Sequence, residues 1–250
     1  MAEGEIIIYA VIGFGAGLYF FFKGFSLWRR KKLIENIPTS KVRSIAMGLV
    51  EVFGKAVKGT KLLESPFSLA KCVYYSYLVE EYRKQGKHSR WVTIRKDQSG
   101  IPFYLKDDTG KVLVDPIGAD VDIPSDNVYK SNFGMDPPSA VLGFMKQNKL
   151  SHESWFFKVN KKMRYTEFYL APKDEVYVIG TATQKSPGGT MNVDNIVITK
   201  GTNDTLFYIT DEDESTIIKR FNKGIGLRIV GGALLALVCL VVIIAWFGGF

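Results

Sequence analysis

Cysteine and histidine are scarce in this chain: 250 residues hold two of each. One of the cysteines, Cys239, sits inside an apolar run, so the middle of the sequence cannot assemble even one four-ligand Cys/His zinc site, and two cysteines make no disulfide framework. Charge is missing too. No Asp, Glu, Lys or Arg interrupts Ile6 to Phe22 or Ile229 to Phe247. At about 1.5 Å of helical rise per residue the second run nearly matches a hydrocarbon core of roughly 30 Å, and the first does so when it continues to Leu27 and Trp28. Two transmembrane helices are therefore expected, over 6–28 and 229–247. No Gly/Ser- or Pro-rich linker and no internal repeat divides 33–218 between them, which argues for one domain of sizeable core.

What charge there is turns the runs into a topology. Glu3 and Glu5 precede the first; Lys23, Arg29, Arg30, Lys31 and Lys32 follow it; Lys219, Arg220, Lys223 and Arg228 precede the second. These nine basic residues carry the excess behind the formal net charge of +8, so the domain itself is nearly neutral and the basic balance is no nucleic-acid footprint. Arg29 to Lys32 beside Trp28, with Lys219, Arg220, Lys223 and Arg228, are read as membrane-interface residues that meet anionic lipid. The positive-inside rule then predicts a cytoplasmic domain with both termini outside. A cleaved signal peptide fits poorly, because its basic region belongs before the apolar stretch. Gly13-Phe14-Gly15-Ala16-Gly17 imitates a dinucleotide fingerprint, but Leu18 stands at the third glycine position and no βαβ unit follows. Gly13 and Gly17, with Gly232 and Ala236, instead offer small faces for close helix approach, the alternative being glycine tolerated at random in lipid.

The domain reads as β-rich. Thr39 or Ser40 is placed to cap a short helix through Ser44 to Met47. Leu49 to Val57 reads as a strand, and alternation over Lys71 to Tyr82 predicts a second, joined by a polar tip at Arg83 to Ser89 to Trp91-Val92-Thr93-Ile94. Ile101 to Leu105 and Lys111 to Val114 flank Lys106-Asp107-Asp108-Thr109-Gly110 as a tight hairpin. Further strands are expected at Glu175 to Thr181, Asn195 to Thr199 and Thr205 to Ile209, with a loop at Gln184 to Asn192 and a turn at Gly201 to Asp204. Helices are expected at Ser139 to Gln147 and from Asp213 or Ser215 toward the second span, with Gly224 and Gly226 as its hinge. The fold class is β-rich α+β: a small antiparallel barrel, OB-like, or a sandwich with a few short helices, held between two transmembrane helices.

Several separated segments carry a resemblance: Ile37-Pro38-Thr39-Ser40-Lys41-Val42-Arg43-Ser44-Ile45-Ala46-Met47-Gly48; Leu63-Glu64-Ser65-Pro66-Phe67 with Cys72 beyond; Pro102 to Asp107 with Thr109-Gly110-Lys111-Val112; and Tyr177-Val178-Ile179-Gly180-Thr181. In this order they resemble the GIDE, or beside-a-membrane, domain of mitochondrial membrane-anchored ubiquitin ligases. The resemblance implies a domain between two membrane helices that engages partners or substrates, with ubiquitin transfer performed by a RING finger after the second span. A RING takes eight Cys/His ligands for two zinc ions, and these 250 residues hold four in all, so ligase chemistry is not carried over to them.

Other chemistry is weakly signalled. Cys72 lies in an alternating strand and reads as a small buried side chain rather than a nucleophile. His88 sits in the hairpin tip. Ser151-His152-Glu153-Ser154 invites a hydrolase reading that sequence neighbours rarely satisfy. Asp115, Asp120, Asp122, Asp126 and Asp136 are read as turn aspartates rather than a cation site. No metal, cofactor or catalytic residue is assigned. The binding candidates are Tyr82, Lys87, Arg90, Trp91 and Arg95 around the hairpin, an aromatic and basic mixture suited to a lipid headgroup or single-stranded nucleic acid, the latter disfavoured by the near-neutral domain. The expected function is a non-enzymatic, membrane-anchored recruitment or sensing domain whose partners are membrane lipids and a protein. The competing readings are an accessory of a ubiquitin-like pathway, a lipid or nucleic-acid binder, and an enzyme with an unrecognised site gathering His88 or His152 with carboxylates.

Overall fold

The computed structural model describes residues 3–151, 160–185, 193–202, 206–212 and 214–248. It divides into two compact units, Thr39–Glu212 on one hand and Met1–Pro38 with Asp213–Phe250 on the other.

The larger unit is built on five strands: β1 (Gly48–Val57), β6 (Phe103–Lys106), β7 (Lys111–Val114), β11 (Glu175–Gln184) and β12 (Ile196–Thr199). They pair in the order β1-β6-β7-β12-β11 and close through β11 onto β1. Numbered among themselves along the chain, the strands follow one another around the barrel as 1-2-3-5-4, with only the β7–β12 pair parallel. That is an OB-like barrel. Alternation fills it: Val50, Val52, Ala56, Phe103, Leu105, Val112, Val114, Val176, Val178, Ala182, Ile196 and Ile198 are buried in one cluster. Closure requires β1 to change partners, from β11 over Gly48 to Lys55 to β6 over Lys55 to Val57. Gly54 sits at that exchange, where an added Cβ would stand 2.5 Å from the Lys106 carbonyl oxygen.

Two excursions from the barrel make a second layer. Between β1 and β6 come β2 (Leu63–Glu64), β3 (Lys71–Cys72), β4 (Tyr74–Gln85) and β5 (His88–Gly100). Between β7 and β11 come β8 (Asp120–Val121), β9 (Asn127–Ser131), helix α2 (Ser139–Gln147) and β10 (Met163–Leu170). Strands β5-β4-β10-β9 form an antiparallel sheet, and α2 packs Val141 and Met145, one turn apart, among Phe67, Tyr77, Val79, Met163 and Tyr165. Strand β13 (Tyr208–Thr210) joins β11 and takes β8 as a parallel neighbour.

Several expectations need correction. The predicted helix over Ser44 to Met47 is absent; one 3-10 turn, Val42–Ser44, stands before β1, and the chain is extended again at Ile45. The polar tip of the long hairpin is mostly strand: β4 and β5 run to Gln85 and His88, leaving a turn at Gly86, with φ of 60°, and Lys87. Strands β9 and β10 were not foreseen. The predicted loop at Gln184 to Asn192 and the turn through Asn203 and Asp204 fall largely outside the described residues.

In the smaller unit α1 (Glu3–Asn36) and α3 (Glu214–Gly248) are two helices long and apolar enough to cross a membrane. Helix α3 passes through Gly224 and Gly226 without the expected hinge. The helices pack on their small residues. A Cβ at Gly17 would lie 2.7 Å from the Ala236 amide nitrogen, and one at Gly13 would lie 2.6 Å from Cys239 Sγ. In a Cys72→Ser background, Gly13→Cys is therefore expected to form an intrachain disulfide with the native Cys239 under mild oxidation, and adding Gly17→Ile should lower its yield. Non-reducing electrophoresis and intact mass read this out. Exclusively interchain dimers, or a yield indifferent to Gly17→Ile, would refute the packing.

Candidate functional site: docked loops and an aromatic-cation ladder

Ser40 to Ser44, which contains the 3-10 turn and buries Val42, is held by the β6–β7 turn. Asp107 accepts the Val42 amide at 2.9 Å with one carboxylate oxygen; with the other it accepts the Thr109 amide at 2.7 Å, the Thr109 hydroxyl at 2.8 Å and the Gly110 amide at 2.9 Å. The Arg43 amide donates to the Thr109 hydroxyl, and Lys41 pairs with Asp108 at 2.6 Å. Partial burial alone would raise the Asp107 pKa, but these donors outweigh it and hold the carboxyl below its ordinary value. A depressed carboxyl stabilises the fold above its unfolded pKa, and that contribution is lost as pH falls through the folded value.

The second motif, Ser65-Pro66-Phe67, closes the β2–β3 connection. Ser65 Oγ accepts the Ala70 amide at 2.9 Å, and the Ser65 amide donates to the Ala70 carbonyl. Glu167 of β10, wholly buried, accepts the Phe67 amide at 2.7 Å and the Ser68 amide at 3.1 Å. Phe67 then inserts among Tyr77, Tyr129, Phe144 and Tyr165, all at edge-on angles with centroids 5.1 to 6.5 Å away. Cys72, just beyond, is fully buried with Sγ directed at the Leu63 carbonyl, and burial pushes its thiol up to about 12, the nearby Glu167 and Asp126 carboxylates adding to the effect. It is no nucleophile at neutral pH.

The hairpin candidates divide between two sides. Tyr82 and Trp91 face each other across β4 and β5 with centroids 5.2 Å apart. Arg90 lies opposite Arg83 on the other face, Arg95 lies opposite Val79 beyond a bulge, and Lys87 is in the turn. The aromatic rings already carry cations. Lys162 stands over Tyr82 at 4.4 Å, and Arg164 over Trp91 at 4.6 Å while its guanidinium pairs with Glu80 at 2.6 Å. Sequence reasoning missed Lys162, Arg164 and Glu167 because all three belong to β10 or its approach.

Of the membrane-interface residues, Trp28 stacks on Phe25 at 5.2 Å, Arg29 stands over the same ring, and Lys31 and Lys32 pair with Glu35. Lys219, Arg220, Lys223 and Arg228 lie along α3; the side chain of Arg30 is outside the described part. The aspartates are scattered: Asp122 accepts the Tyr208 hydroxyl, Asp126 the Tyr169 amide, Asp136 the Asn160 side chain and Asp115 the Ile117 amide. Among the described residues no group of three or more His, Cys, Asp or Glu is arranged to hold a metal ion. His88 is exposed at the turn; the stretch from His152 to Ser154 is outside the described residues.

Asp211, after β13, is raised to about 6 by desolvation, with Asp126, Asp174 and Glu212 adding repulsion, and its Oδ1 is buried without a hydrogen-bond partner. A raised carboxyl favours folding below its unfolded pKa near 4 and loses that advantage as pH climbs through 6. Asp211→Asn should thus stabilise the domain by about 1 kcal/mol at pH 7.5, after allowance for solvent screening, and by almost nothing at pH 4. Thermal melts of the two proteins at both pH values measure it; a gain at pH 4 as large as that at pH 7.5 would contradict the assignment.

A closed OB-like barrel with an appended sheet, in a chain that also bears two helices long and apolar enough to cross a membrane, defines a membrane-associated β-rich module. A family model for GIDE, described as an E3 ubiquitin ligase family, matches residues 74–243, about two thirds of the chain. The chain belongs to the GIDE family. The match includes the segments at Pro102 and Tyr177 and begins after those at Ile37 and Leu63. No curated protein and no solved structure matches the chain.

Proposed function

We propose that the chain is a membrane-anchored, non-catalytic recruitment or sensing domain at the cytoplasmic membrane surface, spanning the bilayer twice with both termini outside. The observation that carries this reading is how the polar groups of the motif segments are used. Asp107, Glu167 and Ser65 hold loops through backbone amides, and Cys72 is buried with its thiol protonated. Each of these side chains is occupied within the fold. The placement rests on the two uncharged runs and on basic residues that all lie on the domain side of them.

The family description favours one second reading: the chain supplies the membrane-side part of a ubiquitin-like ligase pathway, the transfer step belonging to RING ligands beyond the four Cys and His of these residues. Lipid headgroups remain partners through the basic clusters, while the cations over Tyr82 and Trp91 weigh against base stacking there. The test has two arms. The purified chain should leave the rate of ubiquitin discharge from a charged conjugating enzyme unchanged, and crosslinking in native membranes should capture a discrete protein partner through 39–212. Accelerated discharge would overturn the non-catalytic reading, and crosslinks to lipid alone would overturn recruitment.

A further inference from the structure

The outer face of the barrel carries a row of like charges. Lys55 of β1 is directly opposite Lys106 of β6, which is directly opposite Lys111 of β7. Three ammonium-bearing side chains thus lie abreast on neighbouring strands, a cross-strand arrangement that is unfavourable by itself. Lys111 rests over the Tyr104 ring at 4.7 Å. Among the described residues neither Lys55 nor Lys106 has a carboxylate within ion-pair distance, although Glu175 is the strand neighbour of Lys55. Lys173, from the turn before β11, comes to the same place. It holds a left-handed backbone with φ of 86°, unusual for a residue with a side chain, and its amide donates to the Ala56 carbonyl at 2.7 Å.

Lys55, Lys106 and Lys173 line a cleft of about 470 Å³ together with Phe53, Gly54, Ala56 and Val57. Phe53 is 41% exposed there, an aromatic ring on a strand whose buried positions are already filled by valine and alanine. At the edge, Lys41 is paired with Asp108, so the remaining charges of the cleft are Lys55, Lys106 and Lys173 against Asp107 and Glu175.

Resting on the recruitment reading above, we infer that this cleft is where the partner docks, and that its ligand is an acidic peptide segment carrying an apolar residue between carboxylates. Strands lie about 4.8 Å apart, which sets Lys55 and Lys106 side by side at the cleft, while Lys111 lies one strand beyond it over Tyr104. Alternate side chains of an extended peptide are about 7 Å apart on one side, a spacing that flexible lysine stems bridge, while the intervening apolar residue meets Phe53. The carboxylates of Glu175 and Asp107 on the rim oppose a uniformly charged phosphate chain more than a mixed peptide.

The test uses the full chain in nanodiscs of neutral lipid. A labelled, amidated peptide of sequence Asp-Glu-Phe-Asp-Glu is titrated by fluorescence anisotropy beside its Asn-Gln-Phe-Asn-Gln counterpart. The acidic peptide should bind with salt-dependent affinity and the amide version should not. Lys106→Glu should weaken binding at least about tenfold and Phe53→Ala severalfold, with unchanged thermal melts, whereas Lys87→Glu at the distant hairpin turn should have no effect. Absence of binding, equal binding of the amide peptide, an indifferent Lys106→Glu, or displacement by oligodeoxythymidine or inorganic phosphate below the peptide concentration would each overturn it. A partner crosslinked in membranes equally by wild type and Lys106→Glu would remove this cleft and leave recruitment standing.

Discussion

Replacing Phe67 by Ala should destabilise the soluble domain by about 3–5 kcal/mol, the range for truncating a buried aromatic when the surroundings cannot collapse. Collapse is hindered here. Phe67 is 2% exposed and sits edge-on to four rings that belong to β4, β9, β10 and α2, each fixed by its own ladder or helix. Its amide is tied to the buried Glu167 carboxylate, so the loop cannot follow a shrinking core without exposing that charge to an apolar site. Urea unfolding of the full chain in nanodiscs, followed by tryptophan fluorescence, reads the change. A loss below about 1 kcal/mol would mean that the Ser65-Pro66-Phe67 segment is a surface turn and not the fastening of the second layer.

Gly54→Ala is the smallest substitution with a comparable expected effect, about 3 kcal/mol, because the obstacle is backbone. The added methyl would meet the Lys106 carbonyl carbon at 2.8 Å as well as its oxygen, and β1 could clear them only by giving up β6 or β11, opening the barrel. Hydrogen exchange should show amides of β1 and β6 losing protection together while those of β4 and β10 keep theirs. Unchanged protection in β6 would place the strand exchange elsewhere than Gly54.

The parts of the fold legible in the sequence are those with one buried face. Lys111–Val114 and the helix Ser139–Gln147 match their expected bounds, and the hairpin of β4 and β5 is visible through the alternation from Val73 to Val79. Strand β10 defeated the pattern because Met163, Tyr165, Thr166, Glu167 and Leu170 are buried together, and a glutamate consumed by amides from another loop looks like a surface residue. The helix foreseen near Ser44 ends after one turn because Ile45 is already extended, while the Val42 and Arg43 amides are fixed by Asp107 and Thr109, more than sixty positions later. The same holds for the candidate sites. The aromatic and basic mixture of the hairpin was evident, but not that Lys162 and Arg164 arrive from β10 to cover it. The lysine row was invisible because Lys55, Lys106 and Lys111 become neighbours only through strand register.

The central claim is a binding domain presented at the cytoplasmic surface by two spanning helices, and cysteine accessibility in intact cells tests it most directly. Lys87, exposed in the β4–β5 turn, is a suitable reporter for the domain, whereas a side chain at Gly100 would meet Pro116 and Tyr74 at 2.9 Å. In a Cys239→Ala background, with the buried Cys72 left in place, Lys87→Cys should resist a membrane-impermeant maleimide until the cells are permeabilised, and Ala2→Cys should react at once. Immediate labelling at position 87 with protection at position 2 would put the domain on the opposite side of the membrane and contradict the account.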